Sequence, residues 1–370
     1  MKKNFLIYIE DPRFGGPHQY TLNILDFIKY KFNLKMLFSD FENKIFLKEV
    51  KNKKIKFDTL PVNFLSSNFF NILKYILFFF YDIYIIRSYL KKNDINIIYS
   101  ISGFYSLKII LASLFLKTKI IIHFHDTFCN FIFLKLGFFT KFFIDLFIFS
   151  STRSYSFYKN FIGEKKYFIT QSSIKIFKKK KKFKGKLKKD FNIISVSNIN
   201  PVKRIEVFLE IAKKLRYKNI KFHVIGKVWK SQINYNNKIK QRMKIYGLSN
   251  IFFYNHLNKK GIKKILSNSD LYLCLSKYES SPMSVWEAMS YSLPILSTNV
   301  GDLEYFNKRF KFGFVVKENR IKTLEKQILK IYYNKKLRNK FGQNSKKFVL
   351  EKIDLKKTMG NLQKNIFIYA

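Results

Sequence analysis

Residues 276–301 read SKYESSPMSVWEAMSYSLPILSTNVG, and the pattern of this stretch indicates the class of fold. It follows an apolar run, so the pattern predicts a strand end, a loop, a helix and then a second strand near Pro294. Pro282 suits the first turn of the helix. Glu279 is therefore expected in the loop at the carboxyl edge of a parallel sheet, and Glu287 about one turn inside the helix. Both carboxylates are expected to face one crevice, toward which the first helical amides also point.

The same alternation of strand and helix extends over most of the chain. Short apolar runs predict buried strands at 5–10, 34–38, 96–100, 119–124 and 147–151, and again at 192–197, 221–225, 251–254, 271–275 and 294–297. Helical patterns separate these runs, which is typical of parallel βαβ units. After Gly313 the pattern is helical to the end. The sequence therefore predicts an α/β fold of two Rossmann-like domains facing a central cleft, with C-terminal helices.

A lysine-rich break separates the two halves. Residues 178–182 are five consecutive lysines, and four more follow by residue 189. Such like-charge runs repel and stay solvated, so we predict a linker at 176–190. The predicted domains are 1–175 and 191–352. A final helix at 353–370 is expected to pack back on the N-terminal domain.

The composition restricts the class of protein. The 370 residues include 71 Lys plus Arg and 24 Asp plus Glu, which gives a net charge of +47, yet only nine are arginines. Because base recognition depends largely on arginine, a specific nucleic-acid partner is not expected. A basic protein that binds nucleic acid without sequence preference remains an alternative, as do ligands such as anionic lipid surfaces and phosphorylated substrates.

Cysteine content and apolar stretches restrict the location. The two cysteines, Cys129 and Cys274, exclude a disulfide framework and a cysteine-based zinc cluster. No run near the start resembles a secretion signal, so a cytoplasmic location is predicted. The apolar stretches 64–89 and 128–149 are interrupted by charges, so neither is expected to cross a bilayer. Each is expected to lie against a partner or a membrane interface.

Residues 276–301 resemble the signature of the retaining nucleotide-sugar glycosyltransferases of family 4, which have the GT-B fold. The E-x7-E spacing of Glu279 and Glu287 and the later 298–301 turn agree with that signature in order and spacing. Three further segments resemble the family: Gly15-Gly16 after the first strand, His123-Phe-His125-Asp126 at a later strand end, and the 195–204 loop ending in Lys203-Arg204, with Gly226 after the next strand.

This resemblance implies a role for each matching residue. Glu279 would contact the donor sugar near its anomeric centre, and His125 would lie beside that sugar, so these two are the predicted catalytic residues. Glu287 would bind the ribose hydroxyls and Lys203 the diphosphate. The predicted donor-binding residues are Gly16, Lys203, Arg204, Gly226, Ser281, Met283, Ser284 and Glu287. No residues have convincing metal-ligand spacing, so neither a metal nor another cofactor is expected.

Two positions depart from the family's pattern. The family commonly has arginine where Asn198 stands and glycine where Arg204 stands. Asn198 supplies no charge to a diphosphate, so Arg204 or a nearby lysine is expected to compensate. His123 and His125 alternate along a strand, and a core position remains an alternative for either one.

The expected function is transfer of a hexose or N-acetylhexosamine from a UDP- or GDP-sugar, with retention of configuration. The acceptor would be a hydroxyl of a glycan or lipid-linked acceptor in cell-surface polysaccharide or lipopolysaccharide synthesis. The N-terminal domain would bind the acceptor and the C-terminal domain the donor. A peripheral position at the inner face of an anionic membrane is a further hypothesis. A GT-B phosphorylase or a sugar epimerase is the alternative within the same fold.

Overall fold

A computed structural model of the protein describes residues 2–11, 14–39, 44–65, 69–176, 190–255, 257–317 and 320–369. The chain divides into two compact units, Met1–Ser173 with Leu355–Ala370, and Ile174–Asp354. The predicted domain boundaries are 1–175 and 191–352. Most of the predicted linker, 177–189, lies outside the described residues.

The first unit is built on a seven-stranded sheet in the order β3-β2-β1-β4-β5-β6-β7, in which all neighbours are parallel. Its strands are β1 (Asn4–Ile9), β2 (Asn33–Ser39), β3 (Lys56–Leu60), β4 (Ile97–Ser100), β5 (Lys119–Phe124), β6 (Leu146–Phe149) and β7 (Tyr167–Ile169). Its helices are α1 (Gly16–Ile28), α2 (Lys44–Asn52), α3 (Phe69–Leu77), α4 (Phe79–Lys92), α5 (Leu107–Ala112), α6 (Phe131–Thr140) and α7 (Thr152–Ile162). The last helix of the chain, α15 (Leu355–Tyr369), belongs to this unit and packs against α1.

The second unit has a six-stranded parallel sheet in the order β10-β9-β8-β11-β12-β13. Its strands are β8 (Phe191–Val196), β9 (Ile220–Ile225), β10 (Ile251–Tyr254), β11 (Leu271–Cys274), β12 (Ile295–Thr298) and β13 (Gly313–Val316). Its helices are α8 (Ile205–Lys214), α9 (Ile233–Ile245), α10 (Lys259–Asn268), α11 (Met283–Ser290), α12 (Leu303–Phe310), α13 (Ile321–Tyr333) and α14 (Lys335–Phe348).

The central strands form because they are nearly continuous apolar runs, as a sheet covered on both faces requires. All ten strands predicted from such runs are present, with ends within two residues of the prediction. Three edge or near-edge strands, β3, β7 and β13, were not predicted. The sequence of β3 is KFDTL, and it has no fully buried residue, so its apolar signal is weak.

Each sheet has a point where the order of strand addition reverses. Strand β1 lies between β2 and β4 in the first sheet, and β8 lies between β9 and β11 in the second. The loops that leave the carboxyl ends of such strand pairs separate and open a crevice, which is where open parallel sheets bind ligands. The fold therefore places a candidate crevice beyond β8 and β11.

Among the described residues, no single helix is long and apolar enough to cross a membrane. Helices α3 and α4 reach that length and composition only when they are taken together, and their axes differ by 61°.

Candidate active site

The crevice beyond β8 and β11 opens because these strands pair over only a short length. Their register joins Leu271 to Ile193 and Tyr272 to Ile194. Beyond that point the Tyr272 hydroxyl lies 3.2 Å from both the amide nitrogen and the carbonyl oxygen of Val196 and bridges the separating strands. The loops that follow the two strands therefore flank an opening.

An ion pair crosses this opening. Lys203, after β8, donates from Nζ to Oε1 of Glu279, which lies in the loop after β11. The Ser276 hydroxyl donates to the same oxygen over 2.8 Å. Burial lowers the pKa of Lys203, but the charge and hydrogen bond of Glu279 outweigh this and hold that pKa above its usual value. The two side chains are 19% and 22% exposed, so the ion pair is not fully closed off from solvent.

The Glu279 loop is fixed by the turn that follows β12. The Gly301 amide donates to the Glu279 carbonyl over 2.9 Å, and the Thr298 hydroxyl donates to the Ser276 carbonyl over 2.7 Å. Gly301 has a φ of +52°, and a β-carbon there would lie 2.2 Å from the Ser280 carbonyl oxygen. Only glycine satisfies both conditions, so this part of the signature has a structural reason.

Helix α11 brings Glu287 to the same edge of the sheet. The helix begins after Pro282, whose side chain cannot cap it. Its first amides have no partners within the helix, and its dipole places partial positive charge there. Burial raises the pKa of Glu287 to about 7, against the charges of Lys259 and Lys263, which lower it. Glu287 can therefore gain or lose a proton near neutral pH.

Three predicted donor-binding residues lie at the start of α11. The Ser281 hydroxyl accepts a hydrogen bond from Trp286 Nε1 over 3.1 Å, which ties the loop to the helix. The Ser284 side chain hydrogen-bonds Tyr272. The Met283 side chain is buried, so only its backbone is suited to contact a ligand.

Gly226 has a packing role at the end of β9. A β-carbon at this position would lie 1.7 Å from the Ser197 carbonyl oxygen, and the Gly226 amide donates to the Tyr254 carbonyl over 3.0 Å. The amide is thus already used within the sheet. The neighbouring loop after β8 has two buried atoms, Ser197 Oγ and Asn200 Oδ1, with no hydrogen-bond partner among the described residues. Such orphaned atoms are typical of a site that a ligand or water completes.

Arg204 begins α8 with φ +52° and ψ 50°, in the left-handed region. This conformation explains physically why a glycine is suited to the position. The arginine follows Lys203 directly, so the β8 loop carries two consecutive cations beside the opening. Asn198 is partly buried in the same loop.

In the first unit, His125 lies directly after β5 in a buried polar cluster. Its Nδ1 is 2.8 Å from the Ser150 hydroxyl, which is also 3.0 Å from Nε2 of His123. His123 is fully buried, and its Nδ1 is 2.5 Å from the Tyr99 hydroxyl. Burial, with a smaller contribution from His18, lowers the pKa of His125 to about 3, so its imidazole is neutral. The buried Nε2 of His125 has no hydrogen-bond partner among the described residues.

Gly16 is the first residue of α1, the helix that follows β1 of the same sheet. No heavy atom in the described part of the chain lies within 4 Å of where its β-carbon would stand. This open space leaves room for a ligand to approach the backbone.

The predicted site residues are thus divided between the units. Gly16 and His125 belong to the first, and the other eight belong to the second. Sequence reasoning missed Ser276, Lys259, Lys263 and Ser150. Ser276 was visible as a hydroxyl three residues before Glu279, but nothing distinguishes two lysines in a chain so rich in them. Among the described residues, no group of three or more His, Cys, Asp and Glu side chains comes together as a metal site would require.

Residues 177–348 match the family model described as glycosyl transferases group 1. The second unit is a glycosyltransferase domain. This match covers the Lys203 loop, Glu279 and α11. No curated protein matches the chain in sequence.

Solved structures resemble this glycosyltransferase over nearly its whole length. Alr3699/HepE from Anabaena, crystallised with UDP and glucose, has a TM-score of 0.84 at 14% identity and covers 98% of this chain and 99% of its own. Sucrose-phosphate synthase from Thermosynechococcus elongatus has a TM-score of 0.81 at 13% identity, with 100% of each chain covered. The lipopolysaccharide outer core galactosyltransferase WaaB has a TM-score of 0.71 at 16% identity, again with 100% of each chain covered. At these identities the likeness establishes the fold, which is GT-B.

The predictions of a GT-B fold and of a glycosyltransferase are therefore confirmed. Membership of family 4, the E-x7-E assignment, retention and the role of each site residue stay predictions.

Proposed function

We propose that the protein transfers a hexose or N-acetylhexosamine from a nucleotide-diphosphate sugar to a hydroxyl of a glycan or lipid-linked acceptor, with retention of anomeric configuration. The observation that carries this proposal is the Lys203–Glu279 ion pair across the crevice beyond β8 and β11, beside the start of α11. Diphosphate binding needs cations and backbone amides at such an edge, and this edge offers Lys203, Arg204 and the first turn of a helix.

The donor binds mainly to the second unit. Lys203 and Arg204 neutralise the diphosphate together with the backbone amides of Met283 and Ser284. Ionised Glu287 accepts hydrogen bonds from the ribose hydroxyls. A UDP-sugar is the first donor to test because the Anabaena protein was crystallised with UDP, and GDP-sugars are the second class. In this arrangement protein cations act on the diphosphate, and no metal or other cofactor is needed.

The charges suit the reaction. As the bond between the anomeric carbon and the phosphate oxygen breaks, positive charge develops on the sugar and negative charge on the leaving diphosphate. Glu279 stabilises the positive charge on the sugar. Lys203 turns from Glu279 toward the negative charge on the leaving diphosphate. The acceptor oxygen bonds to the anomeric carbon on the face that the diphosphate leaves, and its proton passes to the departing phosphate. The family resemblance further assigns a sugar contact to the neutral imidazole of His125, whose buried Nε2 has no hydrogen-bond partner among the described residues.

Cell-surface polysaccharide or lipopolysaccharide synthesis on the cytoplasmic side of a membrane is the proposed setting. The resemblance to WaaB, a lipopolysaccharide outer core galactosyltransferase, supports this setting at the level of fold.

The test measures thermal stability with UDP-, GDP-, ADP- and CMP-sugars, because a ligand that binds the native state raises its melting temperature. We expect one nucleotide class to raise it in the wild type and in Glu325→Gln, a control on α13, and not in Glu287→Ala. Nuclear magnetic resonance of the product should then show the donor's anomeric configuration in the new bond.

Three results would count against the proposal. Epimerised or phosphorolysed donor without any glycosylated product would indicate the other GT-B enzymes. A product whose new bond has the opposite anomeric configuration to the donor would show that the enzyme does not retain configuration. Salt-sensitive RNA affinity that no nucleotide sugar competes with would indicate a basic nucleic-acid-binding protein.

A further inference from the structure

The first unit has a large exposed apolar surface, which we call the aromatic face and define as residues 69–84 and 128–143. In its first segment, six side chains are between 64% and 81% exposed: Phe69, Phe70, Ile76, Leu77, Phe80 and Tyr84. In its second, five are between 61% and 68% exposed: Phe128, Phe131, Ile132, Phe139 and Phe142. Single exposed apolar residues are ordinary, but a contiguous patch of this kind marks an interaction surface.

The two segments form one surface although more than 40 residues separate them in sequence. The Phe133 ring on α6 lies 6.5 Å from the Tyr75 ring on α3 and 4.7 Å from the Tyr105 ring. The Tyr75 ring is in turn held by the buried Lys108, whose Nζ lies 3.8 Å from the ring centre. The face is therefore held on a rigid base.

Helix α6 shows that the exposure is built into the packing. Its buried stripe consists of three residues, Leu134, Gly137 and Thr140. A β-carbon at Gly137 would lie 2.3 Å from the Phe104 ring, so the helix sits close against the core on its small side. All its large phenylalanines except the half-buried Phe133 are left on the outer side, where a soluble protein normally has polar residues.

Three lysines place positive charge against the face. Nζ of Lys135 lies 4.6 Å from the Phe131 ring, Nζ of Lys141 lies 4.0 Å from the Phe138 ring, and Nζ of Lys165 lies 5.6 Å from the Phe142 ring. The only acidic residue between 69 and 92 or between 128 and 143 is Asp82, which is fully buried. The exposed face therefore combines aromatic rings and ammonium groups without any carboxylate.

We propose that the aromatic face inserts into the interfacial region of an anionic phospholipid bilayer. Helices α3 and α6 have nine and ten residues, so each is about 15 Å long, half of the roughly 30 Å hydrocarbon core. They lie in the plane of the interface, with rings among the acyl chains and ammonium groups among the lipid phosphates. A second copy of the chain would bring the same lysines against one another, which disfavours self-association through this face.

The test must separate this surface from the general attraction that a net charge of +47 exerts on anionic vesicles. We would measure co-sedimentation with vesicles of phosphatidylcholine and phosphatidylglycerol in 0.5 M salt, which screens exposed charges. The variant is Phe70→Ser/Ile76→Ser/Phe80→Ser. The matched control is Tyr217→Ser/Ile245→Ser/Tyr305→Ser, three residues of the second unit that are 67%, 72% and 74% exposed and belong to no such patch.

We expect wild type and control to bind, and the variant's partition coefficient to fall at least tenfold. A Phe139→Trp reporter should be quenched by brominated lipid and a Tyr305→Trp reporter should not. Equal sedimentation of variant and control would overturn the proposal in favour of bulk charge. Wild type that is dimeric without vesicles, with a monomeric variant, would overturn it in favour of self-association. A variant that unfolds cooperatively near the melting temperature of the wild type, without any donor, is folded, so these outcomes are independent of the proposed transfer reaction.

Discussion

The two units each contain a lysine–carboxylate pair near the carboxyl edge of a sheet, and the two pairs differ in access. In the first unit, Lys108 Nζ lies 2.8 Å from Asp82 and 3.5 Å from Glu10, and the side chains of Lys108 and Asp82 are both 0% exposed. In the second unit, Lys203 is paired with Glu279, and these side chains are 19% and 22% exposed.

The difference shows that proximity of opposite charges does not by itself identify a binding site. The Lys108 ammonium also contacts the Asn63 carbonyl oxygen and the Tyr75 ring, so the protein surrounds it. Burial raises the pKa of Glu10 to about 7 even with Lys108 beside it, which shows how little water reaches this cluster. Lys203 pairs with the carboxylate of Glu279, and its side chain remains partly exposed. The first pair is therefore assigned to stability and the second to the donor.

Replacement of Lys108 should have the largest effect. Lys108→Met leaves Asp82 and Glu10 buried without their cation, and removing one partner of a buried ion pair typically costs about 3–5 kcal/mol. We expect that loss in the free energy of unfolding, measured by urea denaturation followed by circular dichroism. Lys53→Met, which breaks the exposed pair with Asp26, is the control and should cost less than about 1 kcal/mol. Equal losses in the two variants would remove the distinction between the pairs.

Replacement of Lys203 should affect catalysis and leave stability nearly unchanged. Lys203→Met should lower kcat/KM by about 10²–10³, which corresponds to about 2.7–4 kcal/mol of transition-state stabilisation. The free energy of unfolding should change by less than about 1 kcal/mol, because the pair is partly exposed. Steady-state kinetics and urea denaturation measure the two quantities, with Lys326→Met on α13 as the control. A variant that is destabilised yet active would show that this pair is also structural.

The pKa of Glu287 predicts a pH dependence of donor binding. With a pKa of about 7, the ionised fraction falls from about 0.9 at pH 8 to about 0.1 at pH 6, so affinity for the donor should fall about tenfold if only the carboxylate binds ribose. Calorimetric titration with the donor identified in the thermal assay would measure it, since a nucleotide-diphosphate sugar has no phosphate group that titrates in this range. Glu287→Gln should bind more weakly and without this slope.

Protonation of Glu287 should stabilise the folded protein, although it should weaken donor binding. Its folded pKa is raised, so between about pH 4.5 and 7 the folded protein holds more protons than the unfolded chain. Its contribution to the free energy of unfolding therefore increases as pH falls through that range. A wild-type affinity that is flat between pH 6 and 8 would mean that Glu287 does not contact the donor as a carboxylate.

The sequence predicted the central strands because their burial on both faces requires continuous apolar runs, as in Phe5–Ile9. It did not predict β3, whose position at the sheet edge removes that requirement. It placed Glu279 and Glu287 correctly in a loop and a helix because proline and strand patterns are local signals.

The pairing of Lys203 with Glu279 could not be read from local signals. It depends on β8 lying next to β11, and the two residues are 76 positions apart. Lys108 is an ordinary lysine in the sequence, and only the packing of α4 and α5 reveals it as buried. The candidate site was therefore found through the resemblance, and its electrostatics only through the strand order.

The smallest expected effect on stability comes from replacing Arg204, which has a left-handed backbone conformation. Lys311, at the end of α12, has the same conformation with a φ of +53° and serves as its matched control. Glycine relieves about 1 kcal/mol of backbone strain at either position, offset in part by the greater freedom of the unfolded chain. Arg204→Gly and Lys311→Gly should therefore change the free energy of unfolding alike, by less than about 1 kcal/mol.

Donor affinity should separate the two variants. Arg204→Gly removes one cation from the β8 loop and should weaken donor binding by about three- to tenfold in calorimetric titration, as expected for one partly screened charge of about 1 kcal/mol. Lys311→Gly should bind as the wild type does, and Asn198→Arg/Arg204→Gly should recover the lost affinity. If Arg204→Gly binds the donor undiminished, Lys203 and the start of α11 suffice for the diphosphate, and Arg204 does not compensate for Asn198.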